Sequence, residues 1–358
     1  MRRLLGKALI FVGITTLCIL GINSFVRQAG RTYADGATVI CLEKRAAVRT
    51  GQIRAQAGRD NVLFLGHSAV LAGIVPQQFD DAAGGRICSW NLSLPALPIG
   101  PHYFLLKEYL RHNPPPRFVV VKLSLNYSDQ FGYFDSYATK GSAVDEICSY
   151  AFSQPSKTVV WNYLLPIRLD RGQSLRYLRS RLSDPGGIDR TRSQNQAIAE
   201  GMYAQRGYYY IREQARFAGQ LPDDYREPSD GTREHEVQLD HDPYVQRFFD
   251  LAQQQGIRVL LIETPLRPGQ TPQRTAMPPW YSQLLSRYSN VRMAKQGWKL
   301  KFYENRLFSD PTHLNPQGAE RFTREIYAEF IQAFPPDELM VSIVEQGAST
   351  PGRRAGDR

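Results

Sequence analysis

Residues Asn61–Ser68 read NVLFLGHS, a short apolar run that ends in glycine, histidine and serine. Consecutive apolar residues bounded by a turn residue are typical of a strand buried on both faces in a parallel sheet. A serine in the turn after such a strand lies at the carboxyl edge of the sheet, where open α/β sheets bind ligands. The run predicts a first strand over Val62–Leu65 and makes Ser68 a candidate site residue. The alternative is an ordinary turn and helix cap.

Short apolar runs alternate with longer amphipathic ones elsewhere in the chain. Further strands are predicted at Arg86–Trp90, Phe118–Leu125, Arg258–Glu263 and Asn290–Ala294. Helices are predicted at Pro98–His112, Pro243–Gln255, Trp280–Tyr288 and Pro316–Phe334. Because strands and helices alternate, the pattern predicts a three-layer α/β/α sandwich with a mostly parallel sheet.

Residues 127–240 interrupt this alternation and are rich in Tyr, Arg, Asp and Gly. We interpret them as an insertion subdomain within an α/β domain made of residues 61–126 and 241–336. Residues 27–60 are predicted to be a linker. Residues 337–358 include a tail without hydrophobic periodicity, so we expect this end of the chain to be disordered.

The N-terminus predicts a membrane anchor over residues 1–26. Ala8–Val26 contains no charged residue and follows Arg2, Arg3 and Lys7. A helix needs roughly 20 apolar residues to cross a hydrocarbon core of about 30 Å. A secretory signal peptide is the alternative, but its apolar region is usually shorter. Positive-inside bias keeps the N-terminal basic residues in the cytoplasm, so we expect a single-pass protein of the cytoplasmic membrane with a periplasmic domain.

Composition limits the classes of partner. The chain has 44 Lys and Arg against 34 Asp and Glu, a net charge of +10. Its 42% hydrophobic content excludes a wholly disordered chain. Outside the cytoplasm, positive charge favours anionic glycans or lipid headgroups over nucleic acid, for which no motif is present. The four cysteines lack C-x-x-C spacing, so we predict no metal site.

A second candidate block, DPTHLNPQG, spans Asp310–Gly318 directly before the last predicted helix. An aspartate three residues before a histidine can accept the Nδ1 proton of the imidazole and direct Nε2 towards a nucleophile. Asp310 and His313 are therefore candidate orienting and base residues. The alternative is that Asp310 shapes the turn while His313 packs against the helix.

Together the two blocks resemble the SGNH, or GDSL-like, hydrolase superfamily. The resemblance implies a flavodoxin-like fold and a triad of Ser68, Asp310 and His313. Asn126 ends the third apolar run, VVVKLSLN, and stands where the family has an oxyanion-binding asparagine. Asn91 stands near the position of a second family donor, a glycine that this chain lacks. The chain also has His67 in place of the family's aspartate before the serine.

An anchor, an exported domain and a large insertion are similar to the superfamily members that modify the cell envelope. These include D-alanine transfer proteins and the acetyltransferases of alginate and peptidoglycan, which commonly work beside a membrane-bound O-acyltransferase. Arg176 and Arg179 share a predicted helical face in the insertion, where they could bind substrate carboxylates or phosphates. The alternative is a solvated basic face.

The resemblance implies a membrane-anchored serine O-acyltransferase or esterase that forms an acyl-enzyme on Ser68. Its partners would be an acyl donor and a polysaccharide acceptor, and it would need no cofactor or metal. Two alternatives remain: a carbohydrate esterase that removes acetyl groups, and a catalytically inactive SGNH fold that binds glycan or acts as a scaffold.

Overall fold

The structure is a computed structural model of the chain. It describes residues 2–56, 58–123, 137–138, 140–152, 157–210, 219–226, 242–269 and 273–336. The chain divides into two compact units. The helical unit contains Met1–Gln52, Leu94–His112 and Ser124–Ala204, and the sheet unit contains Ile53–Ser93, Asn113–Leu123 and Gln205–Arg358.

The described part of the sheet unit has five parallel strands in the order β2-β1-β3-β4-β5. They are β1 (Asp60–Leu65), β2 (Ile87–Asn91), β3 (Phe118–Val121), β4 (Arg258–Leu261) and β5 (Val291–Arg292). The predicted parallel sheet is therefore confirmed. Leu65 of β1 pairs with Val121 of β3, so the ends of these two neighbouring strands lie side by side.

Each of the four helices predicted for the α/β domain forms to within one residue at either end, whereas most of the remaining helices were not predicted. The sheet unit contains α3 (Ser68–Leu71), α4 (Pro76–Ala82), α10 (Pro243–Gln254), α11 (Pro279–Arg287) and α12 (Pro316–Ala333). The helical unit contains α1 (Arg2–Thr32), α2 (Gly36–Thr50), α5 (Ile99–His112), α6 (Val144–Phe152), α7 (Lys157–Leu164), α8 (Ile167–Ser183) and α9 (Pro185–Ala204).

One apolar cluster joins the sheet to α4 and α12. Alternate strand residues such as Phe64 and Val120 pack in this cluster with Phe79 of α4 and Ile326 and Phe330 of α12. Each such side chain contributes about 1.5–3 kcal/mol when fully buried. The intervening strand residues are also buried, and α10 packs against β4. This arrangement is consistent with an α/β sandwich.

The predicted linker over residues 27–60 contains an ordered helix instead. Asp35 caps α2, because its Oδ1 accepts a hydrogen bond of 2.7 Å from the Thr38 amide, and Gly51 ends the helix with φ of 69°. Lys44 and Arg45 of this helix are buried. The segment predicted to be a linker therefore contains a capped helix that turns Lys44 and Arg45 towards the protein interior.

The boundaries of the insertion also differ from the prediction. Residues 124–204 belong to the helical unit together with the N-terminal residues and α5, whereas residues 205–240 belong to the sheet unit. The helical unit is thus assembled from three separate parts of the chain. The predicted disordered tail, residues 337–358, lies outside the described residues.

Helix α1 has the length and composition of a membrane span. Within Leu4–Thr32, a window of 18 residues has a mean hydropathy of 2.2, and the apolar side chains of α1 are exposed over the first two thirds of the helix. A signal sequence near an N-terminus has the same properties, so the helix itself does not distinguish the two.

Candidate active site

The turn after β1 presents Ser68 as the first residue of α3. A Cβ atom at Gly66 would lie 2.6 Å from Val70 Cγ2 and 3.3 Å from Lys122 Cβ, so this turn needs a glycine. His67 Nδ1 accepts a hydrogen bond of 3.1 Å from the Ala69 amide and thereby caps α3. Ser68 itself is partly exposed. His67 has a structural role in this turn, and Ser68 lies at the carboxyl end of β1.

Asp310 holds the imidazole of His313. The Nδ1–H group of His313 donates to Asp310 Oδ2 at 2.7 Å, and Asp310 Oδ1 accepts from the backbone amides of Thr312 at 2.8 Å and His313 at 2.9 Å. Burial alone would raise the pKa of Asp310, but the hydrogen bond and charge of His313 and these amides lower it below its usual value. Asp310 is therefore ionised at neutral pH and fixes the tautomer of His313.

The loop that carries this pair is held at both ends. Asn315 caps α12: its Oδ1 accepts from the Gly318 amide at 3.0 Å, and its Nδ2 donates to the Arg306 carbonyl at 2.7 Å. A Cβ atom at Gly318 would lie 2.2 Å from the Leu307 carbonyl oxygen, which explains the glycine of the block. Arg267, in the segment after β4, donates to the Pro311 carbonyl at 2.8 Å. Side-chain hydrogen bonds thus fix both ends of the loop.

The second ring nitrogen of His313 is not engaged. Nε2 is buried and has no hydrogen-bond partner in the part of the chain that the structure describes. The predicted hydrogen bond between His313 Nε2 and Ser68 Oγ is therefore not formed in this structure. Val70, two residues after Ser68, and Leu314, directly after His313, pack in the same apolar cluster. An imidazole held in this way can act as a general base towards a hydroxyl group that approaches Nε2.

Asn91 does not supply an oxyanion donor. Its Nδ2 donates to the carbonyls of Val70 at 2.9 Å and Ile74 at 3.0 Å, and its Oδ1 accepts from the Ser93 amide at 3.1 Å. Both amide hydrogens are committed to backbone carbonyls in a fully buried position. The structure contradicts the prediction for Asn91, whose role is to fasten the α3 region to the end of β2.

The other predicted site residues belong to the helical unit or lie outside the described residues. Asn126 lies outside the described residues. Arg176 and Arg179 are exposed on α8 in the helical unit, where the Arg176 guanidinium stacks 4.4 Å from the centre of the Tyr33 ring. Ser68, Asp310 and His313 all belong to the sheet unit.

A buried charge cluster at the same edge of the sheet was missed. Glu263 follows β4 and accepts hydrogen bonds from Lys122, which follows β3, from Arg274 at 2.6 Å and from Tyr281. Burial would raise the pKa of Glu263, but Lys122 and Arg274 lower it. The sequence signal for this cluster was a charged residue directly after each of two apolar runs, Lys122 after one and Glu263 after the other. The cluster fixes the edge of the sheet beside Gly66.

No protein-family model and no curated protein matches this chain. The function is therefore argued from the geometry of the chain itself. In the described residues, no group of three or more His, Cys, Asp and Glu side chains is arranged to hold a metal ion.

Proposed function

We propose that the chain is a membrane-anchored, extracytoplasmic serine O-acyltransferase or esterase of the SGNH type that modifies a polysaccharide. The observation that carries the proposal is the Asp310–His313 pair, in which an ionised carboxylate holds Nδ1 at 2.7 Å while Nε2 stays unengaged. Such a pair is the orienting and base component of a serine triad.

The sheet topology supports Ser68 as the nucleophile. In sheets of the order 2-1-3-4-5, ligands bind outside the carboxyl ends of the strands where the strand order reverses, between β1 and β3. Ser68 follows β1 directly, and Lys122 follows β3. The resemblance of the Gly66–Ser68 and Asp310–His313 blocks to the SGNH superfamily points to the same residue.

In the proposed reaction, His313 Nε2 accepts the proton of the Ser68 hydroxyl as Oγ attacks the acyl carbonyl of the donor. The tetrahedral oxyanion takes hydrogen bonds from the Ser68 amide and from Asn126, and His313 then protonates the leaving group. A sugar hydroxyl, or water in the esterase, next gives its proton to His313 and attacks the acyl-Ser68 ester. Ser68 regains its proton from His313.

The proposed location follows from α1. In this proposal α1 stays uncleaved and anchors the chain in the cytoplasmic membrane, and Arg2, Arg3 and Lys7 favour a cytoplasmic N-terminus. The remaining chain then faces the periplasm. A membrane-bound O-acyltransferase is the proposed source of acyl groups on that side, because acyl donors are made in the cytoplasm.

A fluorophosphonate probe tests the nucleophile. We expect the wild-type chain to be labelled and the Ser68→Ala variant to lose labelling, since the probe reacts with activated serines. Ser282→Ala is the matched control, because Ser282 is exposed on α11 and should not affect labelling. Folded wild-type protein that resists the probe would contradict the proposal.

Resistance to the probe would instead favour the scaffold alternative, which has its own support in the missing Ser68–His313 hydrogen bond and in the capping role of His67. For a chain that does react, an acetyl ester supplied with and without an oligosaccharide separates the remaining functions. Acetylated sugar indicates a transferase, whereas release of acetate alone indicates an esterase.

We further expect Asp310→Asn to slow labelling by the fluorophosphonate probe by about 10⁴-fold, because it removes the acceptor that fixes the His313 tautomer.

A further inference from the structure

Four apolar side chains are exposed where α7 meets α8. Trp161, Leu164, Leu165 and Ile167 have 43–56% of their surface exposed, and we refer to them as the apolar corner. The buried Pro166 lies between the last two. A contiguous exposed group of this kind indicates a surface that contacts something apolar.

Two hydrogen bonds attach the apolar corner to α1. Asn23 Nδ2 donates to the Leu164 carbonyl at 2.9 Å, and Arg27 donates to the Tyr163 carbonyl at 2.7 Å. The Arg27 guanidinium also lies 4.2 Å from the centre of the Tyr163 ring. The corner is therefore fixed at one level along α1.

That level is the point at which α1 stops being exposed. The large apolar side chains from Leu4 to Ile22 are 47–76% exposed, whereas Val26 and Ala29 are buried. At 1.5 Å per residue, the exposed segment is about 28 Å long, close to a hydrocarbon core of about 30 Å. Lys7 lies near the N-terminal end of this segment, where a long basic side chain extends to the headgroups. Asn23 is the first polar side chain after this segment that bonds to the rest of the unit.

We infer that the apolar corner inserts into the headgroup region of the lipid bilayer, next to the point where α1 leaves the membrane. Tryptophan and aliphatic side chains that continue a membrane span are typical of the interface. Arg168 and Arg171 are exposed at the start of α8, where they would contact lipid phosphates. The corner sets the height and tilt of the helical unit above the membrane. This inference rests on the membrane anchoring proposed above and is independent of the acyl chemistry.

Quenching of tryptophan fluorescence tests the inference. The full chain, which has four tryptophans, is reconstituted alone in nanodiscs of phosphatidylcholine and phosphatidylglycerol whose acyl chains are brominated near the headgroup. We expect quenching in the wild type and its loss in Trp161→Phe. The inference is overturned if the wild type is not quenched, or if Trp161→Phe shows the same fractional quenching as the wild type. Either result would indicate that the apolar corner contacts a membrane-protein partner and not lipid.

A second exposed position on α8 provides a depth control. Leu182 is 87% exposed, and the nearby Ser180 side chain accepts a hydrogen bond of 2.8 Å from Tyr33. Tyr33 lies about 15 Å beyond Asn23 along α1. A tryptophan introduced by Leu182→Trp in the Trp161→Phe background should not be quenched. Quenching equal to that of Trp161 would show that the corner has no defined depth and would contradict the inference.

Flotation with liposomes after alkaline washing separates the two proposals. A chain that floats while Trp161 is not quenched retains its anchor and disproves only the apolar corner. A chain that stays in the soluble fraction disproves the anchor and the corner together. A chain that floats with Trp161 quenched supports both.

Discussion

The apolar cluster of the sheet unit and the interior of the helical unit bury different kinds of side chain, because the paired charges of the sheet unit around Glu263 lie at the edge of its sheet. The sheet unit packs Val, Leu, Ile and Phe between the strands and helices α4 and α12. The helical unit buries ion pairs: Arg45 bonds to Glu146 with the two side chains 4% and 0% exposed, and Lys140 bonds to Asp170 at 2.8 Å. Removing part of a buried apolar side chain lowers the free energy of unfolding in proportion to the atoms removed. Removing one partner of a buried ion pair costs more, because the other charge stays buried without a partner.

The Arg45–Glu146 pair is part of a hydrogen-bonded group. Arg45 also bonds to the Tyr137 hydroxyl at 2.7 Å, and the Tyr150 hydroxyl donates to Glu146 at 2.8 Å. The group joins α2 to α6, which are distant in sequence. Polar groups in such an interior have a defined geometry, because each donor must meet its acceptor.

The largest expected effect is in this group. Glu146→Ala leaves the Arg45 guanidinium buried without its carboxylate, so we expect the free energy of unfolding to fall by about 3–5 kcal/mol. Hydrogen exchange measured by mass spectrometry in detergent should show the loss in α2 and α6. The double variant Arg45→Met, Glu146→Leu is the control, and it should recover most of the stability because no charge stays buried. Equal losses in the single and double variants would contradict the comparison.

An intermediate effect is expected at Asp242, a buried charge within the sheet unit. Its Oδ1 caps α10 by accepting from the Tyr244 amide at 2.8 Å, while its Oδ2 is buried without a hydrogen-bond partner among the described residues. Burial raises the pKa of Asp242 to about 6. The folded pKa is above the unfolded one, so the stabilising contribution is complete below the unfolded pKa and is lost as pH rises through about 6.

Asp242→Asn keeps the cap and removes the charge. We expect it to raise the free energy of unfolding by about 1–3 kcal/mol at about pH 8 and to change it little at about pH 4. Urea denaturation followed by circular dichroism at both pH values measures the difference. Asp35→Asn, at the exposed cap of α2, is the matched control, because it removes no buried charge and should not raise the free energy of unfolding at about pH 8. A gain that is the same at both pH values would argue against burial of the charge as its cause.

The smallest effect is expected in the apolar cluster. Ile326 on α12 is fully buried among apolar neighbours. Ile326→Val removes one methyl group, so we expect a loss of about 0.5–1.5 kcal/mol. The same urea denaturation measures it. A loss as large as that of Glu146→Ala would remove the contrast between the two units.

The sequence by itself determined the strands of the sheet unit and its helices α10, α11 and α12. The apolar run before Ser68 predicted β1, and the periodicity of Pro316–Phe334 predicted α12 to within one residue. It also determined the apolar helix at the N-terminus and the Asp310–His313 pair. All of these follow from residues near each other in the chain, because strand and helix periodicity and an i, i+3 contact are local.

Only the tertiary structure decided which distant groups meet. It committed Asn91 to the carbonyls of Val70 and Ile74, joined Lys122 to Glu263 at the sheet edge, and buried α2 in the predicted linker. A polar side chain can form hydrogen bonds with many groups, and it must form at least one of these bonds when it is buried away from water. Which partner is present depends on packing between elements far apart in sequence, so no local pattern reveals it.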